Sequence, residues 1–248
     1  MIEKTRGFII KRKVYRDTSL LLTVYTRDFG KIEGIVKGAR RMEDYGRYDG
    51  IIDLFSNYEI VFYPRKSSLA LFVQFYLMES YWDIIKEYPD FSMVCSGIEL
   101  LDYITQPYEA NFQIYNLLAF FLNEFYSQRR DVVFYAFIIK LLKFSGFNPQ
   151  INRCFKCRNK IQYRGYFSVQ KGVLVCLKCG LKEDNLIPVS SGAVKSINFL
   201  ERASYANIKR LLLAPDIEEE IRKIIVKFVS YHISFIPKSW QKNEAGVV

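Results

Sequence analysis

Four cysteines stand in two pairs, Cys154-x2-Cys157 within INRCFKCRNK and Cys176-x2-Cys179 within LVCLKCG, with eighteen residues between the pairs. A two-residue spacer lets one tight turn aim two sulfurs at a single point. Two such knuckles at this separation match the spacing of a four-thiolate metal site. Zinc satisfies its tetrahedral preference with four thiolates at about 2.3 Å, and the filled shell makes such a site structural. Zinc is the first expectation, one ion per chain. Iron, alone or as a cluster, uses the same ligands and is the second. Catalytic zinc needs an open coordination position, which four thiolates deny. A nucleobase deaminase would carry H-x-E and P-C-x-x-C, but Arg153 precedes Cys154 and the only histidine is His232. A thioredoxin-like centre would use one CxxC at a strand–helix junction. The fifth cysteine, Cys95, falls in a helical pattern and reads as a core residue.

The second group with chemical potential is cationic. The 248-residue chain carries a net charge of +10, unevenly spread: +4 over residues 1–80, −3 over 81–150, +6 over 151–190 and +3 over 191–248. Lys11, Arg12, Lys13 and Arg16 lie on or just after the first strand pattern, and Lys37, Arg40, Arg41 and Arg47 fall within IVKGARRMEDYGRYDG. Cations along one face can track a phosphate backbone, with Tyr25, Phe29, Tyr45 and Tyr48 available for stacking on bases. No Walker A run, G-x-S-x-G or carboxylate cluster is present, so binding, not bond-making chemistry, is expected.

These groups need elements to position them. Residues 1–80 hold five short runs rich in β-branched and aromatic types, the pattern of a small barrel: RGFIIKRKVY, LLLTVYT, IEGIVKGA, YEIVFY and LALFVQFYL. Gly30 in RDFGK suits a turn with positive φ. Residues 81–150 and 186–248 read as one helical domain. Val94, Ile98, Leu101 and Ile104 form one stripe, and Phe112, Tyr115, Leu118, Leu122 and Phe125 another. Asp131 and Asp216 are expected N-caps, and Ile217, Ile221, Ile224, Ile225, Phe228 and Val229 form the apolar face of a late amphipathic helix. Residues 151–185 form the cysteine segment, with YRGYFSVQKGVLV as a hairpin between knuckles and Gly180 freeing the second knuckle to adopt positive φ. The longest charge-free apolar run, Val132–Ile139, is too short to span a bilayer, and paired CxxC motifs fit a reducing compartment; an intracellular, soluble chain with no membrane partner is expected.

Three stretches resemble the RecO family of DNA-repair proteins, in order and across nearly the whole chain. They are GFIIKRKVYRDTSLLLTVYTRDFGKIEGIVKGARR, with its T-x-x-x-G-K turn at Thr26–Lys31 and K-G-A-R at Lys37–Arg40; CFKC…YFSVQKGVLVCLKC; and VSSGAVKSINFL with YHISFIPKS. The resemblance implies an α+β architecture: a five-stranded OB-fold barrel followed by an all-helical domain carrying a four-Cys zinc ribbon. It implies a recombination mediator, not an enzyme. Such a mediator binds single- and double-stranded DNA, anneals complementary strands and helps load recombinase onto strands coated with single-strand-binding protein. RecR and, in some lineages, RecF would be partners, and the setting would be cytoplasmic and nucleoid-associated. Lys37, Arg40 and Arg41 would contact DNA, with Lys11, Arg12 and Arg47 nearby, and Cys154, Cys157, Cys176 and Cys179 would hold zinc. On the residues alone, the rival is a zinc-ribbon protein-interaction scaffold in transcription or translation.

Overall fold

In the computed structural model of the chain, residues 1–39, 52–65, 69–85, 91–127, 129–180, 186–237 and 240 are described. Two compact units result, residues 1–91 with 105–123, and residues 92–104 with 124–248.

The first unit is built on a closed barrel of β1 (Glu3–Tyr15), β2 (Ser19–Thr26), β3 (Gly30–Val36), β4 (Asn57–Tyr63) and β5 (Ala70–Glu79). Around the barrel the order is β1-β2-β3-β5-β4, with β4 returning to β1 and β3 pairing parallel to β5. Alternation within each strand sends Leu22, Val24, Ile32, Val36, Ile60, Phe62 and Phe72 into one sealed core. The register shifts between Ile9 and Lys11. Before this bulge Phe8, Ile9 and Ile10 are buried, and after it Lys11, Arg12, Lys13 and Val14 are exposed. The bulge thus ends the core-facing part of β1 and carries its basic half out as a hairpin with β2.

Gly30 closes the β2–β3 turn at φ +68°, as the sequence implies. The Thr26 hydroxyl accepts from the Phe29 amide (3.1 Å) and donates to the Gly30 carbonyl (2.8 Å). A Cβ on Gly30 would collide with the Glu109 carbonyl, because residues 107–110 cross the turn and the Tyr108 amide bonds the Lys31 carbonyl at 2.9 Å. Gly30→Ala should therefore cost at least about 2 kcal/mol, from the left-handed backbone and the displaced neighbour together. A lowered urea midpoint at unchanged slope is the expected readout.

Also in this unit are α1 (Trp82–Ile85) and most of α3 (Phe112–Glu124). Asn111 caps α3 by accepting from the amides of Gln113 and Ile114. Tyr115 docks it on the barrel, with its ring 5.3 Å from that of Phe8 and its hydroxyl 3.3 Å from Asn57.

The second unit holds residues 92–104 of α2 (Phe91–Ile104), with α4 (Arg130–Phe144), α6 (Ser191–Arg202), α7 (Tyr205–Ile208) and α8 (Pro215–His232). Every residue from Val132 to Leu142 is buried, so α4 is a central helix and not a one-sided one. Its one buried cation, Lys140, donates to the carbonyls of Glu201 and Ala203 at 3.0 and 2.8 Å. A charge is tolerated there because it meets the electronegative C-terminal end of α6. Neither expected aspartate cap forms. Asp131 and Asp216 lie two positions too late, in the first turn, and Arg129 and Ala214 hold the cap positions. Pro215 at the first position of α8 fixes that helix start instead. Ser190 caps α6 by accepting from the Ala193 amide at 3.1 Å. Ile221, Ile224, Ile225, Phe228 and Val229 are the buried face of α8. Cys95 is half-buried, not a sealed core residue.

The cysteine segment contributes β6 (Arg164–Ser168) and β7 (Val173–Cys176) to a three-stranded sheet, β7-β6-β8, whose third strand β8 (Leu186–Ser190) follows it. The expected hairpin is β6–β7, turned at Gly172 with φ +63°. The third strand, β8, was not legible as a strand because Pro188 interrupts it. As an edge strand it can carry a residue without an amide proton.

Candidate metal centre and basic surface

Each knuckle is shaped by its own backbone. In the first, the Arg158 amide bonds the Cys154 carbonyl (2.8 Å), and the Cys154 amide bonds the Asn159 carbonyl (2.9 Å). Arg158 supplies the left-handed residue of this turn, at φ +63°. In the second, Cys176 ends β7 and Cys179 sits in the short helix α5 (Leu177–Gly180). Gly180 is not in the positive-φ region expected of it. It is needed for room: a Cβ would stand 2.7 Å from the Tyr166 ring. A bond from the Phe155 amide to the Leu174 carbonyl (2.7 Å) ties the first knuckle to the strand leading into the second.

The result brings all four sulfurs within 4.8 Å of one another. Cys157 Sγ and Cys176 Sγ are 3.7 Å apart. A tetrahedron with bonds of about 2.3 Å has edges of about 3.8 Å, so the spacing suits a central ion. It is far beyond the S–S length of about 2.05 Å that a disulfide requires. The four cysteines therefore form a cluster able to bind a metal ion. Burial alone would push the Cys154 thiol up, but backbone hydrogen bonds from Cys157, Cys176 and Lys156, with one from the Cys157 side chain, bring it down to about 6. Cys179 is pushed up to about 12, chiefly by sharing protons with the Cys176 thiol. Four thiolates cannot crowd one point without a cation. Metal uptake near neutral pH must then displace protons, and affinity falls as pH is lowered. Competition titration with a chromogenic chelator between pH 6 and 8 should show this; a pH-independent affinity would contradict it.

His232, the single histidine, is structural in its contacts: Nε2 lies 2.7 Å from the Val169 carbonyl at the β6–β7 turn, and its ring packs on Phe228.

On the barrel, strand register sorts the cations. Lys13 stands opposite Leu21, which stands opposite Ile35. Lys11, two residues before Lys13, shares that outward face through the period of two, and Lys37 follows β3 in a turn. All three lysines are exposed. Arg12 points the other way, and its guanidinium donates to the Ile52 carbonyl (2.6 Å) and meets Asp53 at 3.4 Å. Arg12 is thus engaged in closing the barrel end, whereas Lys11 and Lys13 share the outward face of β1 and Lys37 stands just past the end of β3. Arg40, Arg41 and Arg47, with Tyr45 and Tyr48, lie outside the described residues. Tyr25 cannot stack on a base: it is wholly buried, and its hydroxyl has no hydrogen-bond partner among the described residues. Burial also raises its pKa. Phe29 is likewise occupied, packing edge-on against Phe62 at 5.3 Å. The sequence could not separate these aromatics because a buried strand Tyr and a stacking Tyr share the same strand pattern.

Fold and site together define a class of protein in which a closed five-stranded OB-like barrel is followed by helices clipped by a four-thiol centre. Residues 1–81 match the family described as recombination protein O N terminal, and residues 87–241 match recombination protein O C terminal. The chain belongs to the RecO family of DNA repair proteins. It is similar to the protein named DNA repair protein RecO of Alkaliphilus metalliredigens, 26% identical over 94% of each chain. It is also similar to that of Moorella thermoacetica, 28% identical over 93% of this chain and 86% of the relative. A third, from a Thermoanaerobacter species, is 24% identical over 95% and 94%. No helix among the described residues is long and apolar enough to cross a membrane.

Proposed function

We propose that this chain is a recombination mediator that binds single- and double-stranded DNA, anneals complementary strands and helps load recombinase onto strands coated with single-strand-binding protein. RecR, single-strand-binding protein and, in some lineages, RecF are its partners, and it acts in the cytoplasm at the nucleoid. Its work is binding and positioning, without bond-making chemistry. The observation that supports this most is the set of exposed lysines on the barrel, Lys11 and Lys13 on the outward face of β1 and Lys37 just past β3. Arg12, Arg40, Arg41 and Arg47 complete the proposed DNA-contacting set. Small barrels of this kind use the face of strands 2 and 3 and the adjoining loops for oligonucleotides.

Cations on one surface neutralise phosphate charge and release counterions. Two strands held on one protein then meet at raised effective concentration, with their mutual repulsion screened. The four cysteines hold one structural zinc ion, which fixes the fold of their segment and supplies no reactive position. The test is a salt titration of oligonucleotide binding. Log K should fall linearly with log salt, with a slope near −0.7 for each phosphate contact on a single strand. A flat response would remove the proposal.

A further inference from the structure

Between Ile151 and Gly180 the chain carries seven Lys and Arg residues and no Asp or Glu. A divalent ion held by four thiolates has a charge of −2, so the cations exceed what the centre needs by five. Their placement is also uneven. Residues 155–160 are all exposed. Phe155 and Lys156 fill one spacer, Leu177 and Lys178 the other. The four sulfurs lie within 4.8 Å, so both spacers crown a single point.

A purely structural clip has no use for apolar side chains at that crown, yet Phe155 is 45% and Leu177 47% exposed. The Phe155 backbone is pinned by its bond to Leu174, and the Arg158 guanidinium lies over its ring at 5.5 Å. An exposed aromatic on a pinned backbone, in cation–π contact with an arginine and set in a segment of net positive charge, is a platform on which a nucleobase can stack while nearby cations take the flanking phosphates.

We propose that the crown of the metal clip, formed by Phe155, Arg158 and Lys178, is a second contact for single-stranded DNA, separate from the barrel lysines. The inference rests on the DNA-binding function proposed above and adds a site to it. Two separate contacts in one chain would engage one strand twice or two strands at once, which is what annealing requires.

The test uses the full-length, metal-loaded chain and an oligo-dT probe followed by fluorescence anisotropy. Phe155→Ala should weaken binding at least about fivefold, the low end for one stacked base, and Phe155→Trp should restore it. Arg158→Ala/Lys178→Ala should make the log K–log salt slope shallower by about 1.4, two contacts' worth. Bound metal, measured on each variant, should stay at the wild-type level, which separates loss of contact from loss of fold.

Variants that keep their metal and match the wild type in affinity and slope would overturn the inference. So would variants that lose binding of an aspartate-rich peptide but not of oligo-dT, since the crown would then dock a protein. Failure of the wild type to bind oligo-dT at all would remove the parent reading. Wild-type binding lost in Lys11→Glu/Lys37→Glu but indifferent to the crown variants would remove this inference alone.

Discussion

Lys11→Glu/Lys37→Glu in the full-length chain should weaken single-stranded DNA binding about 100-fold. The estimate takes two charge-assisted contacts at about 1.5 kcal/mol each, which together amount to about two decades. Reversal of sign adds repulsion to that loss. Both side chains are exposed, so the fold should persist and the melting transition should move little. Arg12→Glu is the contrasting control. Arg12 bonds the Ile52 carbonyl and Asp53, and its replacement removes a barrel-end tie and places a carboxylate beside both. Its effect should appear in stability as well as in binding. Equal loss of stability in the double variant would mean that Lys11 and Lys37 are structural. Unchanged DNA affinity would mean that the barrel face is not the DNA surface.

Cys154→Ser is the second large effect. Cys154 is buried, and its amide and carbonyl close the first knuckle. Hydroxyl for thiolate removes one of four ligands at a site whose sheet is only three short strands. In isolated finger peptides structural zinc supplies roughly 10–16 kcal/mol, so its loss should exceed the local stability of residues 151–180. Amide exchange across β6 and β7 should rise by orders of magnitude, while β1–β5 keep their protection. Bound metal should fall to zero. An excess of chelator should reproduce the pattern in the wild-type chain. Retained metal, or exchange that rises uniformly through both units, would contradict a local clip.

Much of this was legible in the residues. The two CxxC pairs announced the clip because metal-ligand spacing is a local property. The barrel strands were legible because β-branched and aromatic runs alternate between Gly and Pro breaks. What was not legible depends on contacts distant in sequence. Tyr25 and Phe29 read as stacking aromatics, and only the folded chain shows that Tyr25 is wholly buried and that Phe29 packs on Phe62. Arg12 read as equivalent to Lys11, although the bulge and the period of two send them to opposite sides. Asp131 and Asp216 looked like caps, but Arg129 and Ala214 hold those places; a two-residue error is within what sequence pattern can miss. The role of Gly180 was misjudged in kind: it makes room for Tyr166 and does not adopt positive φ. Phe155 and Leu177 gave no signal at all, because exposure of a spacer residue depends on how the two knuckles meet.

The central claim is that this chain brings complementary strands together on its basic surfaces. Its most direct test is strand annealing on complementary oligonucleotides precoated with single-strand-binding protein, with the full-length chain added in the presence and absence of RecR. Annealing well above the spontaneous rate, suppressed by added salt and by Lys11→Glu/Lys37→Glu, is the predicted result. A rate equal to the protein-free control under both conditions would contradict it.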